Sequence, residues 1–190
     1  MNRKLLIISM FCSASSFAQP PVINNADISN SGAQYQGNFA VNQAAGDQQQ
    51  QANARAIAMG HGASATTQIR QRLHTEVDPR MDARASIQGD SFSRGYGVLG
   101  VNQSAGASTQ QANALRISIS NQPQSIDDSV LMQQNVALIK NSDPTDSAPG
   151  YRQVSTSDQA FTGSRGVIQL NQSAGVGNRM ANTLNVRVAD

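Results

Sequence analysis

The chain has two histidines, His61 and His74, and a metal centre built on them would need close, regular spacing and further ligands nearby. Neither condition is met. Asp127 and Asp128, with Asp143 and Asp146 downstream, gather carboxylates, but neither an EF-hand loop nor a Gly-Gly-x-Gly-x-Asp repeat surrounds them. Serines are plentiful, yet no Gly-x-Ser-x-Gly elbow presents one as a nucleophile. No catalytic residue, metal ligand or cofactor site is therefore expected, and these histidines and aspartates read as solvated loop residues. The side chains whose type and spacing do recur are amides. Asn42, Asn102 and Asn171, followed by Gln43, Gln103 and Gln172, are separated by 60 and then 69 residues, and Asn53, Asn113 and Asn182 repeat both spacings. The chemistry this suggests is hydrogen bonding. A primary amide both donates and accepts, so identical amides stacked at one position can form a ladder. A buried amide left unpartnered costs about 1–3 kcal/mol, which makes such a ladder stable only in register.

The elements that would position these amides follow from the residues around them. Three segments, 37–59, 97–119 and 166–188, align without gaps on the skeleton Asn-Gln-small-Ala-Gly, five free positions, then Ala-Asn. In the first arm one face carries Phe39/Leu99/Ile168, Val41/Val101/Leu170, Gln43/Gln103/Gln172 and Ala45/Ala105/Ala174, and the other face carries the Asn42 series. In the second arm Asn53/Asn113/Asn182, Arg55/Leu115/Leu184, Ile57/Ile117/Val186 and Met59/Ile119/Val188 share a face. A period of two is that of a β-strand, and the Val and Ile content argues against the helical alternative suggested by the alanines of the first repeat. Gly46, Gly106 and Gly175 stand where each chain segment must turn, since glycine reaches positive φ without a Cβ penalty. The expectation is an all-β fold of three strand-turn-strand repeats, stacked about 4.8 Å apart as a solenoid-like or cross-β core, with irregular linkers at 60–96 and 120–165. Like charges do not recur at one position: Asp47 is followed by Ala107 and Val176, and Arg55 by Leu115 and Leu184. Residues 19–36 read as a disordered arm, and 130–139 as an added strand or short helix. Tyr35, Tyr96 and Tyr151, each just before a repeat region, are candidate caps for the apolar column.

Composition fits a stack better than an ordinary core. Asn and Gln make up about a fifth of the chain, tryptophan is absent, and only 4% of residues are aromatic. Residues 1–18 read as a secretory signal: Arg3 and Lys4, then an apolar run from Leu5 to Phe11, then Ser16-Phe17-Ala18 with small residues at −3 and −1. That run is far shorter than the ~20 residues needed to span a bilayer, and no membrane span is expected. Cleavage would remove Cys12, the only cysteine, so no disulfide is expected. It would also remove Arg3 and Lys4, taking the formal charge from +2 to zero. Without a basic run interleaved with aromatics, nucleic acid is not an expected partner.

The stretch Val-Asn-Gln-Ala-Ala-Gly-Asp-Gln-Gln-Gln-Gln-Ala-Asn-Ala at 41–54 resembles the repeat of the Fap functional-amyloid fimbriae of Pseudomonas and relatives. Three imperfect repeats separated by two dissimilar linkers, behind a signal, also resemble that family's layout. The resemblance implies passage through an outer-membrane export pore, self-association together with related fibre subunits, and assembly into extracellular biofilm fibres. The main subunit of that family carries a C-terminal Cys-x-x-Cys that is missing here; with the short chain and Arg55, this points to a minor or nucleating subunit, or a related biofilm protein, rather than the main subunit. The alternative from another class is a monomeric secreted β-solenoid that acts as an adhesin or binding module. A closed monomer needs covers on its terminal rungs; the third repeat ends at Val188 with only Ala189 and Asp190 after it, which favours open-ended stacking.

Overall fold

A computed structural model describes residues 22–73, 80–121 and 150–189. The signal segment, the 130–139 stretch, His74, and Asp127, Asp128, Asp143 and Asp146 lie outside these residues. Among the described residues the chain is all strand, without a helix. The strands are β1 (Ile23–Ser29), β2 (Gln36–Ala45), β3 (Gln50–Met59), β4 (Asp82–Gln88), β5 (Tyr96–Ala107), β6 (Gln110–Ser120), β7 (Arg152–Thr156), β8 (Arg165–Val176) and β9 (Arg179–Ala189). They form three parallel sheets of three strands, ordered β1-β4-β7, β2-β5-β8 and β3-β6-β9. Each repeat therefore gives one strand to every sheet and forms one rung, and the sheets are not closed into a barrel. The all-β, solenoid-like stack expected from the repeats is what the chain forms.

The register follows the repeat alignment. Asn42 pairs with Asn102 and Asn102 with Asn171, while Asn53 pairs with Asn113 and Asn113 with Asn182. Within a rung the chain follows an S-shaped path. Asn53 lies opposite Asn42, Gln51 opposite Gln43 and Arg55 opposite Phe39, so numbers rise along one strand as they fall along the other. The sheet β2-β5-β8 is thus the middle layer. Its Leu99 and Val101 face packs on Ile28, Ile87 and Phe92, and its Ala105 packs on Ala26, Ala83 and Ala85. Its opposite face carries Asn102 and Ser104 against β3-β6-β9. One interlayer is mostly apolar and the other mostly amide.

The repeating unit is longer than its two conspicuous arms. Strand β1 lies in the segment 19–36 expected to be a disordered arm, and β4 and β7 lie in the segments 60–96 and 120–165 expected to be linkers. The physical reason is burial: a two-strand unit would leave the Phe39/Leu99/Ile168 face in water, and the alternating Ala26-x-Ile28 and Ala85-x-Ile87 cover it. The corner after β4 adds Phe92, which stacks on Phe161 of the next rung with ring centroids 5.4 Å apart and also meets Phe39 of the rung before. Of the three tyrosines, Tyr35 is buried and stacks on Phe39, whereas Tyr96 and Tyr151 are exposed and cap nothing. Part of the first linker also has a defined place. Residues 61–73 run as a strap over the outer face of the third sheet, where Gln71 Nε2 donates to the carbonyls of Gln50 and Gln111 and Ala65 N donates to Ser118 Oγ.

Candidate functional site: amide ladders and open edges

The three expected amide series lie in line through the rungs. Asn102 Nδ2 donates to Asn42 Oδ1 at 2.9 Å, and Asn171 Nδ2 to Asn102 Oδ1 at 2.9 Å. Gln103 Nε2 donates to Gln43 Oε1 at 2.8 Å, and Gln172 Nε2 to Gln103 Oε1 at 2.8 Å. Asn113 Nδ2 donates to Asn53 Oδ1 at 3.0 Å, and Asn182 Nδ2 to Asn113 Oδ1 at 3.1 Å. Backbone carbonyls, which only accept, fix the direction of these amides: the nitrogens of Asn102, Asn171 and Asn113 also donate to the oxygens of Ala52, Ala112 and Val101. The two asparagine ladders are joined within each rung, since Asn53, Asn113 and Asn182 donate to Asn42, Asn102 and Asn171 respectively. The glutamine ladder runs through the other interlayer and bonds the first sheet through the carbonyls of Ala26, Ser86, Ala85 and Ser155.

Two further amide pairs escaped the sequence reading. Gln110 donates to Gln50 at 2.9 Å and Gln51 to Gln111 at 3.0 Å. Their 60-residue spacing was a visible signal, but both stop at the second rung because the third carries Arg179 and Met180 there. Ser104 and Ser173 fill in beside them: Ser104 donates to Gln49 of the turn before β3, and Ser173 accepts from Gln111 of the facing sheet.

Gly46, Gly106 and Gly175 occupy one corner of successive rungs at φ values of 101°, 113° and 116°. A Cβ on Gly46 would lie 2.0 Å from the Gly106 carbonyl oxygen, and one on Gly106 would lie 2.0 Å from that of Gly175. Stacked backbone at this corner leaves no room for a side chain. Arg55 is the one charge on the apolar positions of β3. Its guanidinium reaches the Phe39 carbonyl at 2.8 Å, and burial pulls its pKa below the ordinary arginine value. Gly100 leaves it space, since a Cβ there would come within 2.5 Å of Arg55 Nη2.

His61 is exposed, and among the described residues no three His, Cys, Asp or Glu side chains come together as metal ligands. No helix among them is long and apolar enough to cross a membrane. What the fold does present is two sheet edges. Strands β1, β2 and β3 each pair with a strand of the second rung only, as do β7, β8 and β9. In rung two, β5 from Leu99 onward and β6 are almost wholly buried. The outer rungs expose Ile23, Ile57 and Met59 on one side and Ile168, Leu184 and Val188 on the other.

Comparison with known proteins points to a family. The family model described as functional amyloid protein FapB/FapC family matches residues 12–189. The chain is similar to the functional amyloid subunit FapC of Pseudomonas aeruginosa, with 34% identity over 106 residues, which cover 52% of this chain and 31% of that protein. The chain therefore spans about a third of the length of the curated relative it matches. No solved structure matches it. In-register parallel rungs tied by amide ladders, and a family match over residues 12–189, lead to one assignment: the chain belongs to the functional amyloid protein FapB/FapC family.

Proposed function

We propose that this chain is a structural subunit of extracellular amyloid-like fibres, exported behind its N-terminal signal and assembled by pairing of its exposed sheet edges. The observation that carries this reading is the pair of open edges on an in-register parallel stack. The edges display strands of up to ten residues on rung one and twelve on rung three, each paired on one side only, together with ladder amides, and such edges template further strands. A monomeric adhesin would need covers on its terminal rungs, and among the described residues both outer rungs are paired on one side only. Partners on this reading are further copies and related fibre subunits, with an outer-membrane pore as the exit route. A nucleating or minor role is the finer proposal. It rests on Arg55, which places a charge at an apolar position of rung one, so that a related subunit without that charge adds more readily to the rung-three edge than to the rung-one edge.

The test is assembly of the purified mature chain. Thioflavin-positive fibrils with a meridional reflection near ~4.8 Å are expected. A chain that stays monomeric at high concentration for days, without a growth phase, overturns the reading. For the finer role, a few per cent of preassembled chain should shorten the lag of a FapC-like subunit; an unchanged lag removes the nucleating role but leaves the fibre reading.

A further inference from the structure

We propose that copies of this chain stack in one polarity only, with the rung-three edge of one copy against the rung-one edge of the next in the same register that joins rungs within a chain. This deepens the fibre reading and rests on it.

The first observation is the direction of the ladders. In all three full ladders the amide nitrogen points toward rung one and the oxygen toward rung three. The rung-one edge thus ends in the amide N–H groups of Asn42, Gln43 and Asn53, and the rung-three edge in the oxygens of Asn171, Gln172 and Asn182. Each of those oxygens has a second lone pair for an incoming donor. Donors at one edge and acceptors at the other fit head to tail. Two like edges would put donor on donor or oxygen on oxygen. A two-fold contact would also run the strands antiparallel, so the identical amides could not stay aligned along the edge.

The second observation is the outermost glycines. Along the series Gly37, Gly97 and Gly166, a Cβ on Gly97 would lie 2.1 Å from the Gly37 oxygen, and one on Gly166 would lie 2.1 Å from the Gly97 oxygen. A Cβ on Gly37 meets nothing within 4 Å in its own chain. At the other corner a Cβ on Gly175 meets only the flexible side chain of Arg152, whereas its counterparts on Gly46 and Gly106 meet backbone. Translation by one more rung supplies the missing neighbours. The Gly166 oxygen of the preceding copy would lie over Gly37, and the Gly46 oxygen of the following copy over Gly175.

The third observation is charge. In this register the charges on the outer strands meet neutral residues: Asp27 meets Ser155, Arg55 meets Leu184, Arg152 meets Asn24, Arg165 meets Gln36 and Arg179 meets Gln50. Two rung-three edges face to face would instead bring together Arg152, Arg165, Arg179 and Arg187 from both copies. A head-to-tail contact that does not close by rotation gives an open filament with two different ends.

The experiment uses Gly37→Ala, which obstructs the rung-one edge, and Gly175→Ala, which obstructs the rung-three edge and within its own chain crowds the flexible Arg152 side chain. Gly177→Ala serves as control, because Gly177 shares the positive φ but repeats in no other rung. Elongation from parent seeds should fall on the order of tenfold or more for either edge variant alone and stay near the parent rate for the control. Each edge variant alone should remain monomeric, and an equimolar mixture should stop at a one-to-one dimer, which also shows that both variants fold. Leu184→Glu supplies the opposite sign: placed against Arg55 of the next copy it should speed elongation at low salt, with the gain lost at high salt. Within one chain Leu115 and its strand separate positions 55 and 184, so this coupling reports the junction between copies. Self-dimers of either glycine variant, growth of both at the parent rate, or slower growth of Leu184→Glu overturn the polarity while parent fibres stand. Failure of the parent to form fibres is the separate failure of the fibre reading.

Discussion

Asn102 has all four hydrogen-bonding positions of its side chain engaged. The nitrogen donates to Asn42 Oδ1 and the Ala52 carbonyl, and the oxygen accepts from Asn113 and Asn171. Such a residue has no tolerance for losing its donors. Asn102→Asp strands two acceptors and buries a charge beside them, at about 1–3 kcal/mol for each stranded group. Burial and the facing oxygens hold the new carboxyl above its ordinary value of about 3.9, so the folded state prefers it protonated. Stability is then greatest below about pH 4 and is lost as pH rises through the raised value. Melting curves of the variant at several pH values should show its midpoint approaching the parent's in acid and falling well below it at neutral pH. A constant gap between variant and parent across that range would separate stability from the ladder.

At the scale of elements, the exposed side chains of Arg84 in β4 and Arg152 in β7 mislead if read alone, because their backbones are paired on a parallel ladder. Arg70 and Arg72 sit in the strap, which crosses the third sheet through a few hydrogen bonds and has no strand partner. A protease needs several residues of extended, unpaired backbone, which the strap gives up at low cost. Brief tryptic digestion of the assembled protein should therefore cut at Arg70 and Arg72 before Arg84, Arg116, Arg152 or Arg187. Early fragments ending at Arg84 and Arg152, with the strap intact, would mean that β4 and β7 are not part of the stack.

For the whole molecule the decisive feature is unequal burial of rungs of nearly equal sequence. Leu99, Val101 and Leu115 of rung two are fully buried, whereas Ile168 and Leu184 at the matching positions of rung three are more than a third exposed. The difference lies in having a neighbour on both sides, so another copy would erase it. Hydrogen exchange of the monomer should be slowest in β5 and β6 and faster in β2, β3, β8 and β9. In fibres all six strands should converge on the slow rate. Outer strands that stay fast in mature fibres would place the contact between copies somewhere other than these edges.

Much of this was legible in the chain itself. The amide series at 60- and 69-residue spacing, the alternation of faces and the corner glycines determine a stacked β-repeat, because ladder bonds and backbone crowding act at single positions and leave a local mark. Strands β1, β4 and β7 were not legible as repeats. Ile23–Ser29, Asp82–Gln88 and Arg152–Thr156 share little beyond Ala26/Ala85/Val154 and Ile28/Ile87/Thr156, and the 59-residue offset of β4 from β1 differs by one from the 60 that follows. Their role is to cover the apolar face of the middle sheet, which many small or branched residues can do, so burial selects parity and volume rather than identity. Which face of the middle sheet is oily and which is lined with amides, and that every full ladder points the same way, are decided only when the three layers are folded together. Both depend on which strand lies across from which, and no spacing along one chain encodes that.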